Sequence, residues 1–130
     1  MKRKKILIVE DQLIITMDLE YMLEELGYQV CGISTTYEDA LAAIKGNQPD
    51  LVLIDIILSG EKTGIDLAHE INRTHRIPFI FLTSHADRST IEAAKATKPA
   101  GYIVKPFNRN DVYASIEIAF NNAETQDEDQ

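Results

Sequence analysis

The chain has 130 residues, 45% of them hydrophobic, and a formal net charge of −8 from 13 basic and 21 acidic side chains. At this size folding buries roughly two-thirds of the unfolded surface, enough for one domain with one core and no structural metal, and the single cysteine, Cys31, excludes an intramolecular disulfide. The basic residues Lys2, Arg3, Lys4 and Lys5 offset the tail acids Glu124, Asp127, Glu128 and Asp129, so the body carries the whole acidic excess, which argues against non-specific nucleic-acid binding.

The basic run reads as a solvated flank. Only four apolar residues, Ile6 to Val9, separate it from Glu10 and Asp11, too few for the apolar region of a secretory signal. No apolar run approaches the ~20 residues needed to span a bilayer, so the expected location is the cytoplasm. Ile6–Val9 reads instead as a first strand. Ile15, Leu19, Met22, Leu23 and Leu26 then recur at helical spacing, and Gly27 suits the left-handed position that follows a helix. Gln29–Ser34 reads as a second strand, with Cys31 as a small buried hydrophobe inside it. Thr35, with Glu38 three residues on, predicts a capping box for a second helix marked by Leu41 and Ile44. Leu51–Ile54 is a third strand, and Leu67, Ala68 and Ile71 mark a third helix, on or just after which His69 and His75 are expected to be exposed.

Phe79–Leu82 reads as a fourth strand. Ser89 and Glu92 predict another capping box before the helical run Ile91-Glu92-Ala93-Ala94. Gly101–Val104 is a fifth strand, and Asn108 is the expected N-cap of a last helix marked by Val112, Ile116, Ala119 and Phe120. The helical stripes read as core. Residues 1–120 form the expected domain, and the polar, acidic segment 121–130 is expected to be a disordered tail or linker.

Most of the strand runs are continuously apolar, the pattern of strands covered on both faces of a parallel sheet. Strand and helix alternate five times, which implies right-handed crossovers with helices on both faces. The fold class is therefore α/β, a flavodoxin-like (βα)5 three-layer sandwich with strand order 2-1-3-4-5. Ligands of such sheets sit beyond the carboxyl ends of the strands, where the strand order reverses.

Those ends carry a distinctive set of side chains. The first strand runs into Glu10 and Asp11, the third into Asp55, the fourth into Thr83 and the fifth into Lys105-Pro106. Carboxylates brought this close repel, and need a cation or protons. Hard oxygen ligands with room for water suit Mg²⁺, or Mn²⁺. Lys105 adds a compact positive charge for a phosphoryl oxygen, and Thr83 a hydroxyl. A carboxylate nucleophile, a divalent cation, a lysine and a hydroxyl are the parts needed to transfer a phosphoryl group to an aspartate.

Ile6-Leu7-Ile8-Val9-Glu10-Asp11, Leu51-Val52-Leu53-Ile54-Asp55, Phe81-Leu82-Thr83-Ser84 and Lys105-Pro106-Phe107 resemble the receiver domain of two-component response regulators over residues 4 to 120. The resemblance implies that Asp55 is the phospho-acceptor. It implies that Asp11, Asp55 and the backbone carbonyl of Ile57 bind the metal, with Glu10 acting through a metal-bound water. Lys105 would hold a phosphoryl oxygen behind a cis Lys105-Pro106 bond, the backbone amide of Ser84 would touch the phosphoryl group, and Thr83 and Tyr102 would form the switch pair. The family often has proline four residues after the acceptor and glycine eight after it. Here Ser59 takes the first position and Gly64 falls nine after Asp55, as in receiver variants with a longer loop. That leaves open the path of Ser59 to Thr63.

The implied function is a phosphorelay switch rather than a metabolic enzyme. A sensor histidine kinase or phosphotransfer protein would donate the group, and the surface of the fourth helix, fifth strand and fifth helix would change. Phosphorylation-dependent homodimerisation through that surface is compatible with the pattern, and the downstream effector or output domain is not legible. His85, two residues beyond Thr83, is expected to rim the site, a place from which it could tune the phosphoryl lifetime. Three rivals remain: an aspartyl-phosphate phosphohydrolase, a flavin or nucleotide binder, and a binding-only pseudo-receiver. The first usually has a second acid two residues after the nucleophile, where this chain has Ile57. The second expects a phosphate cradle that the Val9 to Leu13 loop lacks. The third is at odds with the complete set of acids, Thr83 and Lys105.

Overall fold

The computed structural model describes residues 2–84 and 87–128. Its elements are β1 (Lys5–Val9), α1 (Leu13–Glu25), β2 (Gln29–Ser34), α2 (Tyr37–Asn47), β3 (Leu51–Asp55), α3 (Gly64–Thr74), β4 (Phe79–Thr83), α4 (Arg88–Ala96), β5 (Gly101–Val104) and α5 (Arg109–Glu128). The five strands form one sheet in the order β2-β1-β3-β4-β5. Every pairing is parallel. Among the described residues no helix is long and apolar enough to cross a membrane.

The sheet is buried because its side chains alternate between two apolar layers. Leu7, Val9, Val52, Ile54, Phe79 and Phe81 face Ala40 and Ile44 of α2, Leu67, Ala68 and Ile71 of α3, and Ala94 of α4. Their neighbours Ile6, Ile8, Leu51, Leu53, Ile80 and Leu82 face Leu19 and Leu23 of α1 and Val112, Ile116 and Ala119 of α5. Each Val, Leu, Ile or Phe among them contributes roughly 1.5–3 kcal/mol through burial. The central strands are therefore the most deeply buried part of the molecule, and the residues just beyond their ends are anchored to it. Cys31, on the β2 edge, is half-buried and packs against the core, and burial pushes its thiol upward.

The helix ends follow local chemistry, not always at the residues expected. Gly27 takes φ +96° after α1, where the Tyr28 amide donates to the Leu23 carbonyl at 3.0 Å and the Gly27 amide to the Glu24 carbonyl at 3.1 Å. This is the Schellman closure that glycine permits. The cap of α2 is Thr36 rather than Thr35, its hydroxyl accepting from the Asp39 amide at 3.1 Å. The cap of α4 is Asp87 rather than Ser89, its carboxylate accepting from the Thr90 amide at 2.8 Å. In both cases a second capable residue stands one or two places away, and the register of the helix decides between them. Asn108 caps α5 as expected, accepting from the Asp111 amide at 2.8 Å.

Two differences have wider reach. Helix α5 continues to Glu128, through most of the segment expected as a disordered tail, with Asn121 still inside it. Strands β3 and β4 each include one more residue than expected, Asp55 and Thr83. Those two residues thus belong to the sheet. Asp55 is registered with Leu82 and Thr83 with Val104. Just beyond, the Ile56 amide donates to the Leu82 carbonyl at 3.2 Å and the Lys105 amide to the Thr83 carbonyl at 2.7 Å. Main-chain hydrogen bonds thereby hold the strand ends that carry the acidic site.

Candidate functional site

The carboxyl edge of the sheet opens into a pocket of about 740 Å³ lined by Asp11, Asp55, Thr83 and Lys105, among others. Glu10, fully buried, and Asp11, half-buried, follow β1, and Asp55, buried, ends β3. One carboxylate oxygen from each lies within 4.8 Å of the others. Lys105, after β5, places its Nζ 2.6 Å from Glu10 Oε1 and 3.3 Å from Asp55 Oδ2. The Ile57 amide donates to Asp55 Oδ1 at 3.0 Å. The Asp11 amide donates to Glu10 Oε2 at 3.1 Å. Every one of these contacts joins residues that only the parallel topology brings together, or fixes a carboxylate on its own turn.

The electrostatics of the cluster have one direction. Burial, then the hydrogen bond and charge of Asp55, push the Glu10 carboxyl up to about 7, against the opposing pull of Lys105. Burial alone would lower the Lys105 ammonium. The hydrogen bond to Glu10 and the charges of Asp55 and Glu10 outweigh it and hold the group above the usual lysine range. Acid and base both keep their protons more tightly, so the site is short of positive charge. With all three carboxylates ionised, one ammonium leaves two negative charges, which a divalent cation matches. The donors are carboxylate oxygens at an open pocket with room for water, the set that Mg²⁺ prefers. Glu10, Asp11 and Asp55 can therefore hold a hard divalent ion.

Thr83 is half-buried and lines this pocket with Ser84. It also lines a second, apolar cavity of about 260 Å³ with Ile91 and Lys95 of α4 and Tyr102 and Val104 of β5. Thr83 is the one described residue shared by the two linings. Tyr102 is 37% exposed, with its ring centroid 6.2 Å from that of Phe81. The Lys105-Pro106 peptide is cis, as expected. His69 is exposed and His75 half-buried, both on the side of α3 and its end, away from the pocket lining. His85 lies outside the described residues.

Several participants escaped the sequence reading. Ser59 donates a hydrogen bond from its hydroxyl to Asp11 Oδ2. The 59–63 loop that carries it ends in a capping box between Thr63 and Asp66, with the Thr63 amide 2.8 Å from Asp66 Oδ2. Gly64 is forced by space: a Cβ there would lie 2.0 Å from the carbonyl oxygen of Asp55. The Thr-x-x-Asp spacing was a readable signal for the cap. The hydroxyl contact, between residues 48 apart, had none. On α1 beside the pocket, Leu13, Ile14, Met17 and Tyr21 are between 60% and 82% exposed. These four large apolar side chains share the exposed surface of the helix with Asp18, Glu24 and Glu25.

Residues 6–117 match the response regulator receiver domain. The chain is 35% identical over 116 residues to the transcriptional regulatory protein PdtaR of Mycobacterium tuberculosis, covering 89% of this chain and 56% of that protein. It is 36% identical to the phyllosphere-induced regulator PhyR of Methylorubrum extorquens, covering 88% of this chain and 43% of that protein. The chain thus spans about half the length of these curated relatives. Among solved structures, the signal receiver domain of a modulated diguanylate cyclase from Desulfovibrio desulfuricans superimposes with a TM-score of 0.91 at 34% identity, covering 96% of this chain and 99% of that one. The response regulator PhyR from Brucella abortus does so with a TM-score of 0.80 at 34% identity, over 96% of this chain and 51% of that one. With the sheet order, the acidic cluster at its switch point and these relatives in agreement, the chain belongs to the response regulator receiver domain family.

Proposed function

We propose that the chain is a phosphorylation-driven switch in which Asp55 accepts a phosphoryl group from the phosphohistidine of a sensor kinase or phosphotransfer protein. The observation that carries this reading is the meeting of Glu10, Asp11, Asp55 and Lys105 at one open pocket, with Lys105 bridging Glu10 and Asp55. In the step itself one Asp55 oxygen forms a bond to phosphorus as the bond from phosphorus to the donor imidazole nitrogen breaks, and the imidazole leaves with that electron pair. Lys105, already within reach of Asp55, meets the charge on the transferring oxygens, and the Ile57 amide holds the other Asp55 oxygen in place. Asp11 and Asp55, with Glu10 acting through a metal-bound water, would hold Mg²⁺, which would supply further neutralisation of that charge. The Ile57 carbonyl is a further ligand in this reading, and the Ser84 amide a further donor to the phosphoryl group.

The donor has to cover the pocket rim. The exposed apolar face of α1, Leu13, Ile14, Met17 and Tyr21, is the surface it would bury. On phosphorylation the Thr83 hydroxyl turns toward the new phosphoryl group, and Tyr102 moves into the apolar cavity behind it, reshaping the face made by α4, β5 and α5. The cycle ends in hydrolysis at Asp55, so the protein turns over no metabolite. Ile57 stands where a phosphohydrolase would place its second acid, and its side chain is exposed at the pocket mouth. The proposed setting is the cytoplasm.

The test is phosphoryl uptake from acetyl phosphate with Mg²⁺, read by intact mass. The wild type should gain one phosphoryl group and Asp55→Asn none. Retained labelling of Asp55→Asn would move the acceptor elsewhere.

A further inference from the structure

The loop between β3 and α3 is built around contacts that local structure alone does not require. Gly60 adopts φ +105°, a conformation that favours glycine, so the chain turns sharply just after Ser59. The Ser59 hydroxyl donates to Asp11 Oδ2, across from a different strand. Farther along, Lys62 sets its ammonium 5.4 Å from the ring centroid of Tyr37 on α2, and Thr63 closes the capping box with Asp66. The loop is thus tied at its start to one carboxylate of the acidic cluster and at its end to α2 and α3.

Asp11 is the least enclosed of the three acids, half-buried where Glu10 and Asp55 are buried. Its carboxylate therefore needs an outside partner to settle its orientation. A hydroxyl can donate to one lone pair of a carboxylate oxygen and leave other lone pairs free for a cation. Donors of this kind orient the groups that ligate metals, and removing them typically weakens binding tenfold to a hundredfold. A proline at position 59 would offer no donor at all.

We infer that Ser59 is a positioning residue for Asp11, and that through it the loop 59–63 responds to the occupancy of the acidic site. The inference rests on reading Glu10, Asp11 and Asp55 as a metal site. Occupied, the site fixes Asp11 and the Ser59 hydroxyl with it, and the loop, anchored at its far end by Lys62 and Thr63, takes up one arrangement. Without the cation, Asp11 is drawn between Ser59 and its own repulsion from Glu10 and Asp55. The loop thereby becomes a surface that differs between the cation-loaded and cation-free protein.

The experiment is a Mg²⁺ titration of the full chain followed by calorimetry and by amide NMR shifts. In the wild type, the amides of Asp55 and Ile57 and those of Gly60, Glu61 and Lys62 should shift with one common affinity. Ser59→Ala should lower that affinity about tenfold. At saturating Mg²⁺ it should leave the Asp55 and Ile57 shifts in place and flatten those of the loop. Ser59→Thr, which keeps the hydroxyl, should restore both. Ser59 is exposed, so the alanine variant should fold with an unchanged urea midpoint. Wild-type affinity together with undiminished loop shifts in Ser59→Ala would overturn the inference. A wild type with no Mg²⁺ response at Asp55 and Ile57 would instead overturn the metal-site reading on which it stands.

Discussion

Two cavities meet at Thr83, and they are opposites. The larger is charged and open, about 740 Å³, with carboxylates and an ammonium at its floor. The smaller is about 260 Å³ and lined by the apolar parts of Ile91, Lys95, Tyr102 and Val104. The first can respond strongly to charge, because its groups are partly desolvated and short of positive charge. The second can respond only through packing. A single side chain with a methyl and a hydroxyl on one carbon is suited to stand between them. In the proposed switch the labour is divided, with chemistry at one cavity and shape change at the other, joined by a residue that lines both.

The sharpest way to break this division is to remove the cation that the protein itself supplies. Lys105→Met should slow phosphoryl uptake from acetyl phosphate about a hundredfold, the usual loss when one preorganised electrostatic contact is deleted. Time-resolved intact mass measures it, and an unchanged rate would mean that the charged cavity does not depend on Lys105.

A smaller effect should appear in stability. The folded protein binds the Glu10 proton more tightly than the unfolded chain, because its carboxyl is raised from 4.5 to about 7. Its contribution is therefore most favourable below the ordinary carboxylate value and is lost as pH rises through about 7. Mg²⁺ favours the ionised cluster, so its stabilising effect should grow over the same window. Urea midpoints with and without Mg²⁺ across that range test this, with Glu10→Gln as the control that should flatten the cation-free pH dependence. A slope that survives in Glu10→Gln would assign it to other groups.

The smallest effect on chemistry, and the most useful for the comparison, belongs to Tyr102→Leu. Uptake of the phosphoryl group should be unchanged, since Tyr102 lines only the apolar cavity. NMR shift changes in α4 and β5 on adding beryllofluoride should shrink. If they persist in full, the two cavities are not coupled through the tyrosine.

The sequence displayed some of this and concealed the rest for physical reasons. Strands buried on both faces leave continuous apolar runs, so Ile6–Val9 and Leu51–Ile54 were legible, and with them the positions of Glu10, Asp11 and Asp55 at one edge. Helix starts were less so. Thr35 and Thr36 are adjacent capable caps, and only the register that buries Ala40 and Ile44 selects Thr36. Contacts between distant side chains left no trace. Tyr28 donates to Glu117 at 2.6 Å across 89 residues, and Ser59 to Asp11 across 48. Composition made the acidic end look like a tail, while continuation of the α5 backbone pattern carried the helix to Glu128.

The glycine at position 64 shows what an insertion can and cannot change. Its amide donates to the Ile56 carbonyl at 3.1 Å, and its α-carbon faces the Asp55 carbonyl so closely that even a methyl group has no room. The first turn of α3 therefore rests directly on the main chain of Asp55 and Ile56. A loop of another length can bulge outward, as the stretch from Ser59 to Thr63 does, but it has to return to this same point of contact with the same missing side chain. Counting residues from the aspartate is thus an unreliable guide to this glycine, whereas the space beside the Asp55 carbonyl admits no side chain at all: the loop has room to lengthen, and its landing place does not.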